Sequence, residues 1–328
     1  MLRKSLTALA IAGVALGASS AVAKDMKEIR FGIISTESTL NLQKIWEPFL
    51  KRLSEKIGRP VKGLYASDYA GVIEAMRFKK VELAWFGNKS AIVAVDRSGG
   101  EVFAQTVDAD GNPGYWSLLV THKDSKLNSM KDALACKTCT FCNGDPNSTS
   151  GYAVPGYYVF ALNAIEPRKH FKRVTNAGHE ANLLSAVTKK CDFASNNTEN
   201  VRRFELTFPK RAKLVKVIWK SPLIPADPLV WRKDLPAETK AAIKAAILGF
   251  GKTGPKAAEE KKLLASLQWA PFRASSNAQL APIRRLELFK AKLKIERASK
   301  GREMTADEKK KVEAINASLK KLEASNSN

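Results

Sequence analysis

The sequence predicts an α/β protein with two lobes and a cleft between them. Short apolar strands alternate with helical segments from residue 28 onward, and a second series of this kind occupies residues 129–219. Such alternation is typical of sheets with helical crossovers. Two extended segments, residues 117–121 and 222–231, flank the second series, and the prolines of the latter exclude a helix. We interpret these segments as the two crossings between the lobes.

The elements of the first series follow from local patterns. Residues 28–34 are β-branched and aromatic, which favours a buried strand. A helix through Trp46 follows, and residues 61–65 form the second strand. Residues 72–79 are predicted as the next helix, and residues 81–86 as the third strand.

The second series repeats this rhythm, and the chain beyond residue 236 is predicted to be mostly helical. The predicted elements are a helix at 129–134, a strand at 138–142, a loop and helix at 143–165, a strand at 171–176, a helix at 179–190, and strands at 191–195 and 214–219.

The last predicted helix has one apolar stripe. Thr305 and Glu308 fit a capping box at its start. The apolar side chains that follow at helical spacing are Val312, Ile315, Leu319 and Leu322. An amphipathic helix is seldom left uncovered, so we expect the stripe to pack against the first lobe or a second copy of the protein.

The N-terminus predicts export. Arg3 and Lys4 precede an apolar run at residues 6–18, and residues 21–23 form a small-residue cleavage site. Residues 1–23 are therefore interpreted as a signal peptide, since the apolar run is too short to span a bilayer. The net charge of +23 comes from cations that are spread along the chain and mixed with acids. That distribution, together with export, argues against a nucleic-acid partner.

The most informative stretch is residues 141–151, Phe-Cys-Asn-Gly-Asp-Pro-Asn-Ser-Thr-Ser-Gly, which leads into an aromatic-rich helix. The first turn of a helix has unpaired N–H groups and partial positive charge. Ser148, Thr149 and Ser150 add three hydroxyl donors there, and Gly151 permits close approach of a ligand. Helix capping would explain one hydroxyl. Three in a row predict a site for a tetrahedral oxyanion.

Other polar residues fall at comparable places. Tyr69, Tyr115, His179 and Glu199 each follow a strand and lie near a helix start or a turn. Ligands of α/β sheets bind beyond the carboxyl ends of the strands. Asp227 lies on the returning crossing, where it would face the cleft. Each has an ordinary alternative, since the tyrosines could be half-buried, His179 could cap a helix and the acids could be solvated.

A hydrolase and a metal site are the two alternatives to an oxyanion-binding site. In a hydrolase, Ser148 or Ser150 could be the nucleophile with His179 as its base, but the chain has no Gly-x-Ser-x-Gly elbow. A metal site is suggested by the four cysteines, which include a Cys-x-x-Cys-x-x-Cys run.

In an exported protein, four cysteines predict disulfides or buried thiols before a zinc site. Cys139, Cys142 and Cys191 also fall in predicted strands, which suit a tetrahedral metal poorly. We expect at least one disulfide and favour Cys139–Cys191, because these residues begin strands that should be neighbours. No metal and no cofactor are expected.

Seven motifs carry a family resemblance over nearly the whole mature chain. They are residues 31–38 (FGIISTES), 68–71 (DYAG), 113–116 (PGYW), 143–151 (NGDPNSTSG), 176–180 (NAGHE), 196–200 (NNTEN) and 219–225 (WKSPLIP). Together they resemble the periplasmic substrate-binding proteins of phosphonate ABC transporters, and most closely the type that binds 2-aminoethylphosphonate. Cys142 departs from the family pattern, where glycine is expected, and the other cysteines are also departures.

The resemblance implies a type II periplasmic-binding-protein fold with a two-strand hinge. Residues 24–119 would form the first part of lobe 1, residues 120–227 lobe 2, and residues 228–328 the rest of lobe 1 with C-terminal helices. It implies that the phosphonate is held by Tyr115, Ser148, Thr149, Ser150 and His179. It further implies that Glu199 and Asp227 hold the ammonium and that Tyr69 lines the pocket.

The resemblance also implies function. The protein would capture 2-aminoethylphosphonate in the periplasm and deliver it to an ABC transporter permease with its ATPase, without being an enzyme. The alternatives are binding of phosphite, methylphosphonate or a phosphate ester, or secreted hydrolysis of phosphoesters or phosphonates. A binder of phosphite or methylphosphonate would have no use for two cleft carboxylates, because buried unpaired charge is costly.

Overall fold

A computed structural model describes residues 26–324, so the predicted signal peptide lies outside the described residues. Its strands are β1 (Ile29–Ile33), β2 (Val61–Tyr65), β3 (Leu83–Trp85), β4 (Gly100–Asp108), β5 (Gly114–Tyr115), β6 (Ser117–His122), β7 (Thr140–Gly144), β8 (Arg173–Ala177), β9 (Phe193–Asn197), β10 (Val215–Lys220), β11 (Ile224–Pro225), β12 (Pro228–Arg232) and β13 (Trp269–Ala274).

Most helices are α-helices. They are α1 (Thr39–Ile57), α2 (Tyr69–Arg77), α3 (Asn88–Arg97), α4 (Met130–Ala135), α5 (Pro167–His170), α6 (His179–Val187), α7 (Thr198–Thr207), α8 (Pro209–Ala212), α9 (Ala237–Leu248), α10 (Ala257–Ser266), α11 (Ala281–Ala298) and α12 (Ala306–Ala324). Thr149–Ala153 and Gly156–Ala161 are π-helical, and Asn277–Leu280 is a 3₁₀ turn. Within residues 26–324, no helix combines the length and apolar character needed to cross a membrane.

The strands form two large mixed sheets, one in each lobe. The first has the order β13-β4-β12-β3-β1-β2, and the second has the order β10-β6-β9-β7-β8. In each sheet three strands are parallel, as the strand–helix alternation predicts, and the strands that border the crossings are antiparallel. The predicted two-lobed α/β fold is confirmed. The exact lobe boundaries at 119/120 and 227/228 stay a prediction.

The hinge is a separate two-stranded sheet. β5 and β11 pair antiparallel, with Tyr115 opposite Ile224 and Gly114 opposite Pro225. The first crossing therefore lies just before residues 117–121, which belong to β6 inside the second sheet. The second crossing lies within the predicted segment 222–231.

β13 was not among the predicted elements, because the chain beyond residue 236 was expected to be mostly helical. Trp269 and Phe272 of β13 are buried in the core of the first lobe, and the strand pairs with β4. An edge strand of this kind depends on a partner more than 150 residues earlier, which a local pattern does not reveal.

An aromatic cluster holds the first lobe together. Trp46 of α1 lies within 6 Å, ring centre to ring centre, of Phe31, Phe49, Trp85 and Trp269. Ring pairs at this spacing contribute beyond the apolar area that they bury. The cluster joins β1, β3 and β13 to α1, and it lies beneath the cleft end of the first sheet.

The cysteines form disulfides, as predicted, but with different partners. The bonds are Cys136–Cys139 and Cys142–Cys191, and no cysteine of the described residues is free. The favoured Cys139–Cys191 pair is wrong. Side chains alternate between the faces of a strand, so Cys139 packs with Phe141 on one face of the second sheet, whereas Cys142 and Cys191 pack together on the other.

The C-terminal helices pack on each other and on both lobes. Helix α12 lies against α11, and its Leu319 is buried there. Helix α11 contacts α3 of the first lobe through Arg284 and Asp96, and the second lobe through Arg297 and the carbonyl oxygen of Ala161. The predicted apolar stripe is thus partly covered within the chain, since Leu319 is buried and Val312, Ile315 and Leu322 are half-buried. Dimer formation through α12 stays a prediction.

We predict that non-reducing peptide mapping of periplasmic protein will recover linked peptides for Cys136–Cys139 and Cys142–Cys191. The oxidising compartment favours both bonds. A peptide that links Cys139 to Cys191, or four thiols alkylated without reduction, would contradict the pairing.

Truncation after Gly301 should lower the melting temperature and leave ligand affinity nearly unchanged, because α12 packs on α11 and contributes no residue to the cleft. For a protein of this size each kcal/mol of stability lost corresponds to roughly 2–4 °C. Differential scanning calorimetry and titration calorimetry measure the two effects. A tenfold loss of affinity would show that the helix acts on the site.

Candidate functional site

The three consecutive hydroxyl residues lie where the second lobe meets the cleft, at the start of the π-helical segment. Ser148 is the N-cap residue, and its Oγ accepts a hydrogen bond from the Gly151 N–H at 3.0 Å. The Ala153 N–H donates to the Ser148 carbonyl oxygen, which closes the wide turn. The N–H groups of Thr149 and Ser150 precede any intrahelical acceptor, as in every first turn.

Pro155 explains how this turn is anchored. Proline lacks an N–H, so it supplies no intrahelical donor to the preceding turn. The hydroxyl of Ser117 on β6 donates to the Ser150 carbonyl oxygen, and the hydroxyl of Ser195 on β9 donates to that of Gly151, both at 2.6 Å. Two strands therefore fix the turn on the edge of the second sheet.

Each hydroxyl in the row already accepts a hydrogen bond from an N–H group. Ser148 accepts from the backbone of Gly151, and Thr149 Oγ1 accepts from the backbone of Lys89 at 2.9 Å. Ser150 Oγ accepts from the side-chain amide of Asn197 at 3.0 Å. A hydroxyl has one proton to donate and two lone pairs. With an acceptor position filled, each can turn its proton toward an anion in the cleft.

Gly144 and Gly151 allow the turn to lie against the end of β7. A Cβ atom on Gly144 would come within 2.5 Å of the Gly151 backbone, and one on Gly151 would come within 3.0 Å of His179 Cε1. The glycine that the sequence associates with ligand approach is therefore also required for packing of the protein's own backbone.

His179, at the start of α6, is held as a neutral hydrogen-bond donor. Asn197 Oδ1 accepts from the Asn200 N–H at 2.7 Å, so its amide nitrogen is the donor that faces His179 Nε2 at 3.2 Å. Nε2 then accepts, and the ring proton is on Nδ1. Nδ1 is buried without a partner. Burial lowers the pKa of His179 to about 3, with a further contribution from the Arg203 charge, so the ring is neutral at physiological pH.

Two carboxylates lie in the same cleft. Glu199 is in the first turn of α7, and Asp227 directly precedes β12. Both are buried, and neither has a Lys or Arg within ion-pair distance among the described residues. Burial raises the pKa of both carboxyl groups, and the Glu199 charge raises that of Asp227 further. The Tyr115 hydroxyl donates to Asp227 Oδ1 at 2.9 Å.

The two tyrosines lie on the first-lobe side of the cleft and at the hinge. Tyr69 begins α2, and its backbone N–H donates to Asp145 Oδ2 of the second lobe at 3.3 Å. Tyr115 is in hinge strand β5. Burial, followed by the Asp227 charge, raises the pKa of both phenols. Both hydroxyls therefore stay protonated and able to donate.

The structure brings all eight sequence-predicted residues into the lining of one narrow cavity between the lobes. They are Tyr69, Tyr115, Ser148, Thr149, Ser150, His179, Glu199 and Asp227. That they bind a ligand stays a prediction. The lining residues that the sequence analysis did not identify as site residues are Ile34, Thr36, Trp85, Gly87, Asn197 and Arg203. Asn197 could have been identified from the sequence, because it belongs to the Asn-Asn-Thr-Glu-Asn motif at residues 196–200.

The lobes are closed over this cavity. The Glu180 N–H of the second lobe donates to the Thr36 carbonyl oxygen of the first at 3.1 Å. The Asn41 side-chain amide donates to Glu180 Oε2 at 2.6 Å. Together with the Lys89–Thr149 hydrogen bond, these contacts seal the cleft on more than one side.

The arrangement suits binding better than catalysis. His179 Nε2 lies 3.4 Å from Ser148 Oγ, but it already accepts from Asn197, and its low pKa makes it a weak base. The described part of the chain contains no group of His, Cys, Asp or Glu residues arranged to hold a metal ion. What remains in one cavity is a row of neutral donors, a pair of carboxylates, and Arg203, which is paired with Glu37.

Comparison with known proteins identifies the family. A family model for the periplasmic substrate-binding protein of phosphonate ABC transporters matches residues 31–280. The phosphonates-binding periplasmic protein of Escherichia coli (strain K12) is 56% identical over 265 residues, which cover 80% of this chain and 77% of that protein.

Two solved structures are similar. A binding protein component of a phosphonate ABC transporter from Pseudomonas aeruginosa has a TM-score of 0.87 and 53% identity, over 92% of this chain and 99% of that one. A protein of Prochlorococcus marinus (MIT 9301), solved in complex with methylphosphonate, has a TM-score of 0.69 and 26% identity, over 80% and 99% of the respective chains. The chain therefore belongs to the family of periplasmic substrate-binding proteins of phosphonate ABC transporters, which are transport proteins and not enzymes.

Proposed function

We propose that this protein captures 2-aminoethylphosphonate and related phosphonates in the closing cleft and delivers them to the permease and ATPase of an ABC transporter. The observation that carries the proposal is the pair of buried carboxylates, Glu199 and Asp227, in the same closed cavity as a row of hydroxyl donors. A zwitterion with an oxyanion at one end and an ammonium at the other complements both groups.

The oxyanion end is supported by neutral donors. The protons of Ser148, Thr149 and Ser150 are available because each oxygen already accepts an N–H. The Nδ1–H of His179 is buried and unpartnered, and a buried donor without an acceptor is costly. A phosphonate oxygen would supply the missing acceptor. Hydrogen bonds to a charged group contribute about 1.5–3 kcal/mol each.

The ammonium end is supported by the electrostatics of the carboxylates. Burial raises the pKa of both groups and so destabilises their ionised forms, and the Glu199 charge raises the pKa of Asp227 further. An ammonium between them would offset both effects, and Tyr115 already holds Asp227 in place. Phosphite and methylphosphonate lack a cation and would leave the pair uncompensated.

Transport requires that the chain reach the periplasm. We infer export through the signal peptide at residues 1–23, with cleavage near Ala23, from the sequence pattern.

Neutralising either carboxylate should weaken 2-aminoethylphosphonate selectively. Loss of one partner of a desolvated charge pair costs about 2–5 kcal/mol, so Glu199→Gln or Asp227→Asn should reduce affinity by roughly thirty-fold to several thousand-fold. Ethylphosphonate has no ammonium, and its affinity should be unchanged or improved in the same variants. Titration calorimetry with both ligands measures the difference.

The matched control is Ser150→Ala, which removes a donor for the oxyanion without removing a backbone cap. It should weaken both ligands alike. Equal losses for both ligands in the two carboxylate variants would remove the basis for amine recognition.

The preference for the aminophosphonate should depend on pH. A carboxyl group must be ionised to bind ammonium, and both pKa values are raised above the ordinary value of about 4. As the pH falls through the raised values, protons compete with the ammonium, and the contribution of these carboxylates to the ratio of 2-aminoethylphosphonate to ethylphosphonate affinity should fall. His179, with its pKa of about 3, does not titrate in this window.

Calorimetry at several pH values between 5 and 8 measures the ratio in the unmodified protein and in Glu199→Gln. The phosphonate groups of the two ligands titrate differently, but this difference is the same for both proteins and cancels when the two are compared. An identical pH dependence in the two proteins would contradict this assignment.

A further inference from the structure

Arg203 is the one Lys or Arg that lines the cavity among the described residues. It lies on α7, one helical turn after Glu199, and belongs to the second lobe. Its Nε donates to Glu37 Oε1 at 2.5 Å, and the two side chains are only 8% and 5% exposed. Glu37 belongs to the first lobe, in the segment between β1 and α1. The pair is therefore a buried ion pair between the lobes.

Arg203 has a second carboxylate within reach on its own helix. Residues four apart lie on the same face of a helix, where an acid N-terminal to a base favours an ion pair. Glu199 and Arg203 have this spacing and order, and both are buried. In the closed structure Arg203 nevertheless pairs with Glu37, while Glu199 has no ion pair and faces the cavity.

The lobes must separate for a ligand to enter or leave, because the residues that surround the cavity are almost fully buried. Separation breaks the contacts that join the lobes, such as that between Glu180 and Thr36, and moves Glu37 away from Arg203. An unpaired cation beside a carboxylate on its own helix would then pair with that carboxylate.

We propose that Arg203 exchanges carboxylate partners when the lobes close. In the open protein Arg203 pairs with Glu199, so that its guanidinium occupies the position that the ligand's ammonium takes in the closed protein. When the lobes close, Arg203 forms its ion pair with Glu37 instead, and Glu199 becomes available to the ligand's ammonium. This inference rests on the proposed recognition of an ammonium group. Arg203 is thus a positioning residue that makes the closed state specific for ligands that carry a cation.

An ion pair that only held the lobes together would affect both ligands equally and would not change their affinity ratio. Arg202, the next residue, also joins the lobes, through the buried Asp108 and through Asp110, whose side chain is 68% exposed. An exposed pair contributes little, and Asp110 does not line the cavity. Asp110→Asn removes this exposed inter-lobe contact while Arg202 stays paired with Asp108, so it provides a control for a changed ion pair on the same helix.

The test compares the affinity ratio of 2-aminoethylphosphonate to ethylphosphonate in four proteins by titration calorimetry. Glu37→Gln leaves Arg203 on Glu199, so the ratio should fall by about 5- to 150-fold, the usual range for coupling between sites. In the double variant Glu37→Gln/Arg203→Gln the competing cation is gone, and much of the ratio should return. Asp110→Asn should keep the ratio of the unmodified protein.

Other results would overturn the exchange. They are an equal loss for both ligands in Glu37→Gln, an unchanged ratio, or no recovery in the double variant. If the unmodified protein itself shows no preference for the aminophosphonate, the proposed function fails and the exchange fails with it. Glu37→Asp serves as a milder variant should Glu37→Gln fold poorly, and it should lower the ratio in the same direction by a smaller factor.

Discussion

The burial of two carboxylates that have no ion-pair partner among the described residues is the constraint on which the proposed recognition depends. Glu199 and Asp227 come from different parts of the chain, one from the first turn of α7 and the other from the return to the first lobe. Ionised groups in such a place are costly unless a partner is present. Under the proposed function, an ammonium ligand would offset this cost when the lobes close.

The oxyanion end of the cleft follows the opposite principle, since its donors are neutral. Three hydroxyl oxygens and one imidazole nitrogen each accept a hydrogen bond from an N–H group of the protein. Their own protons are therefore available to donate to a ligand. The hydroxyls of Ser117 and Ser195 donate to the carbonyl oxygens of Ser150 and Gly151 in the turn before Pro155. Such an arrangement is organised before the ligand arrives, which reduces the entropy lost on binding.

Much of this could be predicted from the sequence, because its signals are local. The strand–helix rhythm, the row of hydroxyls at 148–150 and the proline-flanked Asp227 are visible in short windows. The missed features depend on distant partners. β13 needs the edge of β4, and the Cys142–Cys191 pairing depends on which face of the sheet each thiol occupies. In the sequence Arg203 is not distinguishable from any other basic residue on a helix, because its partner Glu37 comes from the other lobe.

The sequence by itself determined the chemistry of the two ends of the site, because residue type sets whether a side chain donates a proton or carries a negative charge. Tertiary structure alone decided how those groups face one another. The Asn197 amide selects the tautomer of His179, and burial raises the pKa of Glu199. Both effects require side chains from separate elements to meet out of water, and no local pattern contains that information.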